Sequence, residues 1–114
     1  MSLRHERTES QMQKIIADII RNDIKERDLL LITITKLELS KDLSNAKIFF
    51  TNLGGKEKQI SDLNTLNKSK GFIKKQLAKR IKIRKVPNLI FTYDNSIDIR
   101  NDFEKLLKSI KKTP

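Results

Sequence analysis

The feature that most restricts what this chain can fold into is an apolar spacing that changes period along the sequence. Met12, Ile15, Ile16, Ile19, Ile20 and Ile24 recur mostly at three- and four-residue steps, the mark of a one-faced amphipathic helix, and predict helix over about residues 9–25. Thr8 or Ser10 can cap its start. The period then falls to two. Residues 29–39 are rich in β-branched side chains, with Ile32 and Ile34 alternating against Thr33 and Thr35, and read as a strand. A polar connection over 40–45 leads to a second strand over 46–51, predicting a hairpin. Helical spacing returns over about 58–68, through Ile60, Leu63 and Leu66, and over about 72–83, through Ile73, Leu77, Ala78 and Ile81. Ser69-Lys70-Gly71 separates the two, with Gly71 as the expected kink. Residues 86–93 place Leu89, Phe91 and Tyr93 on one face of a third strand, and Pro87 suits its first residue or an edge. A final helix over about 97–112 follows a cap near Ser96 and carries Ile99, Phe103, Leu106, Leu107 and Ile110.

This order predicts an α+β fold, a three-stranded sheet with helices covering one face. With 114 residues, one domain spanning 1–114 with a core of about 7–96 is the expectation; a chain of this size buries somewhat over ~60% of its unfolded surface. Three Gly and two Pro are too few to interrupt the pattern, and the absence of Cys excludes a disulfide scaffold, a Cys-based zinc finger and a Cys nucleophile. No apolar stretch follows the basic residues Arg4 and Arg7, and the longest apolar run, residues 29–32, is too short to cross a bilayer. A cytoplasmic protein, monomeric when free and not membrane-bound, is expected.

The net charge of +11 is not evenly spread. Residues 1–28 hold six cations and six anions, whereas residues 68–85 hold nine cations and no acid. Those nine are Lys68, Lys70, Lys74, Lys75, Lys79, Arg80, Lys82, Arg84 and Lys85. A solvated face in a lysine-rich chain is the bland reading, but compositional bias spreads lysines evenly and does not exclude acids from one stretch. Concentrated positive potential is the footprint of a phosphate binder, which gains affinity by releasing condensed counterions. A membrane-surface helix would carry more large apolar side chains than Phe72 along its edge. On a helical wheel Ile73, Leu77 and Ile81 form the inward stripe, and Lys75, Lys79 and Lys82 project from the other side.

Catalytic chemistry is poorly provided. His5 is the only histidine, and its place near the terminus reads as surface. Gly54-Gly55-Lys56 lacks the remaining P-loop positions, where Phe50 and Glu57 stand. Asp94-Asn95-Ser96 reads as a turn and cap. No enzyme activity, metal or cofactor is expected.

The element order with its basic central helix pair resembles a type II KH domain. More closely, LLITITKLELSKDLSNAKIFF (30–50) and KGFIKKQLAKRIKIRKVPNLIFTYDNS (70–96) resemble the ribosome-binding factor A family of bacteria, from about Arg7 to Ser96. That resemblance implies α-β-β-α-α-β order with an added C-terminal helix. It also implies a ribosome biogenesis factor that binds the immature small ribosomal subunit and assists late maturation and processing of its rRNA, especially in cold adaptation. The family replaces the KH glycine loop by an Ala-x-Gly kink; here Ser69-Lys70-Gly71 stands at that place, with serine for alanine. The expected RNA-binding set is therefore Ser69, Gly71 and the nine cations. Helix-borne lysines grip phosphates without reading bases, and most aromatics sit at core positions, so shape and charge rather than sequence should govern recognition. A basic protein-interaction module or a KH-type mRNA regulator are the alternatives.

Overall fold

The computed structural model of the chain describes residues 3–24, 29, 31–54 and 56–96. Helix α1 (Leu3–Asp18) runs into a π-helical turn (Ile19–Asp23); strands β1 (Ile32–Leu39) and β2 (Asn45–Asn52) form a hairpin; helices α2 (Lys56–Lys68) and α3 (Lys70–Arg80) follow, then strand β3 (Asn88–Tyr93). The α+β order is the one the sequence predicts. The sheet is ordered β1-β2-β3, β1 antiparallel and β3 parallel to the central β2. Pro87 precedes an edge strand, as its missing N–H favours. The predicted C-terminal helix lies outside the described residues.

The helices cover one sheet face. Met12, Ile16, Ile19 and Ile20 from α1 and its π turn, Leu66 from α2, and Ile73 and Leu77 from α3 close over Leu37, Leu39, Ala46, Ile48, Phe50, Leu89 and Phe91. Tyr93 extends this face by setting its ring edge-on to Phe50, centroids 5.6 Å apart. Two apolar positions assigned to helix stripes do not join: Ile60 is 70% exposed and Ala78 is exposed as well.

Four expectations change. First, α1 begins at Leu3, so neither Thr8 nor Ser10 caps it; the Thr8 hydroxyl donates to the Arg4 carbonyl inside the helix, 3.0 Å. The early turns are polar because they cross the end of β1 rather than the core. There Glu9 accepts the Leu39 N–H at 2.8 Å, and His5 Nε2 lies 3.1 Å from the Leu39 carbonyl, which can only accept. His5 is thus packed against the sheet and is not a loose surface residue. Both backbone groups of an edge-strand terminus are occupied, which blunts that end of the edge.

Second, the predicted strand over 29–39 begins only at Ile32 and carries a bulge at Thr35. The extra residue switches parity, so that Ile34 before the bulge and Leu37 and Leu39 after it all turn toward the core. Thr35 donates to Asp94 at 2.5 Å, and the Asp94 N–H donates to the Phe50 carbonyl at 2.7 Å, joining all three strands.

Third, Gly71 is not the kink. The chain turns at Ser69 (φ −87°, ψ −2°), whose N–H stays bonded to the Thr65 and Leu66 carbonyls and whose carbonyl accepts the Ile73 N–H. Gly71 already belongs to α3, and a Cβ there would meet no atom within 4 Å. Fourth, α3 stops at Arg80, before the predicted end at 83. Ile81 is extended (φ −126°, ψ 138°) and buried; alternating β-branched Ile81 and Ile83 favour an extended path over another helical turn.

Candidate nucleic-acid interface

The nine cations of residues 68–85 occupy three settings. Lys68 and Lys70 flank the Ser69 corner, Lys74, Lys75, Lys79 and Arg80 lie on α3, and Lys82, Arg84 and Lys85 follow in the link to β3. Burying Ile73 and Leu77 fixes the roll of α3 about its axis, and that roll leaves Lys75 and Lys79 exposed on its outer side. Lys82 is also exposed, but it lies beyond the helix. The predicted three-lysine face is therefore two helical lysines continued by a basic, non-helical link.

Arg80 differs from the rest. Its guanidinium meets Asp23 at 2.5 Å and Asp18 at 3.9 Å. Asp18 and Asp23 bracket the π turn, whose wider pitch is closed by the Ile24 N–H on the Ile19 carbonyl. Both carboxylates thereby reach one guanidinium, and α3 is clamped to the end of α1. Among the described residues, the other eight cations form no ion pair. They are available to a partner, whereas Arg80 is already engaged.

Ser69 makes no side-chain cap hydrogen bond, so its hydroxyl is available at the corner. The exposed Phe72 ring and Gly71 border the same corner.

The structure also adds residues that the charge count did not select. Arg4 at the start of α1 and Lys41 in the β1–β2 connection line one groove with Lys82, Arg84 and Lys85, a space of about 640 Å³. They come from three distant stretches of chain, so no local run could reveal them. In the same connection Asp42 accepts hydrogen bonds from the Ser40 hydroxyl and from the hydroxyl and N–H of Ser44. These bonds, the Ser44 hydroxyl foremost, hold its carboxyl down at about 2. The loop they brace carries Leu43 at φ 62°, a left-handed conformation costing an L-residue with a Cβ roughly 1–2 kcal/mol.

On the outer face of the sheet, the Phe49 ring lies between Lys36 and Lys47, whose ammonium groups are 5.6 and 5.2 Å from its centroid. Lys36 is bonded to Glu38 at 2.7 Å, which raises its pKa. Among the described residues, no group of three or more His, Asp or Glu side chains could hold a metal ion. No described helix is long and apolar enough to cross a membrane.

Fold and surface together define a small KH-like α+β domain that presents, on a helix and the segment after it, positive charge with no ion-pair partner among the described residues. The family model for ribosome-binding factor A matches residues 4–107. A ribosome-binding factor A from Natranaerobius thermophilus is 39% identical over 108 residues, covering 95% of this chain and 82% of the relative. Among solved structures, a Thermotoga maritima protein assigned to the same factor superposes with a TM-score of 0.74 at 26% identity, over 86% of this chain and 93% of its own. A Thermus thermophilus ribosome-binding factor A, fitted into a cryo-EM map of its complex with the 30S subunit, gives 0.65 at 24% identity over 78% and 93% of the two chains. The chain belongs to the ribosome-binding factor A family.

Proposed function

We propose that this protein is a cytoplasmic, non-enzymatic ribosome biogenesis factor that binds the immature small ribosomal subunit and assists late maturation and processing of its rRNA. The observation that carries the reading is the set of eight cations, over Lys68, Lys70, the outer side of α3 and the link to β3, that form no ion pair among the described residues while Arg80 is neutralised. Cations spent on internal pairs would serve the fold; cations left to solvent in an acid-free stretch serve a polyanion. Family membership supplies the identity of that polyanion. The Thermus relative is placed with the 30S subunit, and the same partner suits the basic surface of this chain. Ser69 and Gly71 lie at the corner where the backbone of an RNA helix meets α3.

Phosphate contacts position a protein without reading sequence, so binding follows the shape of folded rRNA. If about six to eight of the cations meet phosphates, log affinity falls against log salt with a slope of roughly −4 to −7. Replacing Lys75, Lys79 and Lys82 together by Glu abolishes co-sedimentation with immature small subunits while leaving the circular dichroism and melting curve in place. Unchanged co-sedimentation would overturn the site. Displacement by an acidic peptide of matched charge as readily as by small-subunit rRNA would favour a protein partner instead.

A further inference from the structure

The groove between the start of α1, the β1–β2 connection and the link to β3 differs in shape from the α3 surface. The lysines of α3 stand on a convex ridge, suited to the outside of a duplex. The groove is concave and brings together cations from three elements: Arg4 of α1, Lys41 of the β1–β2 connection, and Lys82, Arg84 and Lys85 of the link to β3. Its about 640 Å³ falls within the range of pockets that enclose whole small ligands, roughly 300–1,000 Å³. None of these five side chains forms an ion pair among the described residues. The groove's one acid, Asp42, turns its carboxylate to Ser40 and Ser44 of its own loop.

Two further observations distinguish this groove from a merely basic patch. Its lining is not polar throughout: Met12 and Pro87 are buried and Ile83 half-buried, and Leu43, 44% exposed, stands at the rim in its left-handed conformation. The left-handed position belongs to the hairpin turn, closed by the Leu43 N–H on the Ser40 carbonyl; the turn does not require a large apolar side chain left in water there. The link leaves α3 extended at Ile81 and bends at Arg84 and Lys85, and its backbone hydrogen bond over 82–87 is Ile83 N–H to the Ile81 carbonyl, 3.2 Å. Among the described residues, the N–H groups of Lys82, Arg84 and Lys85 have no backbone partner.

We infer that this groove binds a single RNA strand, its phosphates among these five cations and a sugar or unpaired base against Leu43 and the apolar lining. A duplex is too wide to enter a concavity of this size, whereas one strand brings both the anions and the apolar rings that the lining matches. The protein then holds a duplex on α3 and a single strand in the groove, as at a junction where a helix ends. This rests on the RNA-binding reading above.

Fluorescence anisotropy of the full chain with a labelled oligouridylate, and separately with a blunt RNA hairpin, tests it. The double variant Arg4→Glu/Lys41→Glu lowers oligouridylate affinity at least about tenfold and hairpin affinity less than about twofold; Lys75→Glu/Lys79→Glu does the reverse. Leu43→Gly removes the strained side chain, raises the melting temperature and still weakens oligouridylate binding, an outcome no structural role for Leu43 would give. Undetectable oligouridylate binding by the unmodified chain would overturn the proposal, as would equal losses for both RNAs in the groove variant or equal displacement by polyglutamate. Co-sedimentation of the unmodified chain with immature small subunits is read in parallel. If it persists while the groove variant binds oligouridylate normally, the groove assignment alone fails; if it is absent, the ribosome reading fails.

Discussion

Helices α1 and α3 bury comparable apolar stripes in the same core, Met12 and Ile16 from one, Ile73 and Leu77 from the other, yet their polar faces are used in opposite ways. On α1 and its π turn four titratable side chains are spent inside the molecule, while Arg4 is left to the groove. His5 and Glu9 take up the end of β1, and Asp18 and Asp23 hold Arg80. On α3 and the link beyond it, Arg80 alone is committed to a described carboxylate. Charges met by the protein itself serve the fold, and charges with no described partner, as on the outer side of α3, are the ones an interface would draw on. Burial does not separate the two; only the disposition of the polar face does.

The comparison can be attacked first at its shared part. If the two helices differ only outside the core, Ile16→Ala and Leu77→Ala each cost about 2–5 kcal/mol in urea unfolding, and neither changes the salt slope of RNA binding. A slope that moved with Leu77→Ala at temperatures where the variant stays folded would mean that the stripe and the charged face are not independent.

Arg80 is the sharper test, because it sits on α3 but is used like a residue of α1. Arg80→Ala lowers stability by about 0.5–1 kcal/mol, the scale of a half-exposed ion pair, and weakens small-subunit binding less than any single Lys→Ala among Lys75, Lys79 and Lys82. A loss of binding larger than theirs would put Arg80 on the RNA side of the comparison.

Gly71 gives a smaller effect of opposite sign. It is helical, and a methyl group there meets open space, so Gly71→Ala stabilises the protein by up to about 0.5–1 kcal/mol. Calorimetry checks the gain. Should binding fall while the melting temperature rises, the glycine serves close approach of the RNA backbone rather than the turn.

The smallest expected effect belongs to the hairpin connection. The carboxyl of Asp42 sits at about 2 in the folded protein, below the ordinary aspartate value of 3.8. A depressed carboxylate contributes stability above its unfolded pKa and loses it as pH falls toward the folded value. NMR titration of its side chain therefore shows a midpoint near 2, and the Ser44 amide shift follows it. A midpoint near 4 would remove the brace and leave Leu43 strained without visible cause.

Much of this was legible in the chain itself. Period changes located every described helix and strand, because an element half-buried against one core must repeat its apolar residues at its own pitch. The acid-free stretch located the basic surface. The bulge at Thr35 was also written there, in the switch of parity between Ile34 and Leu37, had the alternation been followed past Thr35. Exposed Ile60 and Ala78 were misplaced because periodicity records which residues are apolar and not how wide a face the neighbours cover.

What the sequence by itself determined is the order of elements, the inward stripe of each, and the concentration of charge in residues 68–85, all of which are local or periodic properties. Tertiary structure alone decided which cations are free. Whether an arginine is an interface residue or a clamp depends on what lies across from it, and Asp18 and Asp23 stand more than fifty positions from Arg80. The same holds for the groove. Arg4, Lys41 and Lys85 share one potential only because the chain folds back on itself twice, and electrostatic energy depends on distance in space rather than along the chain.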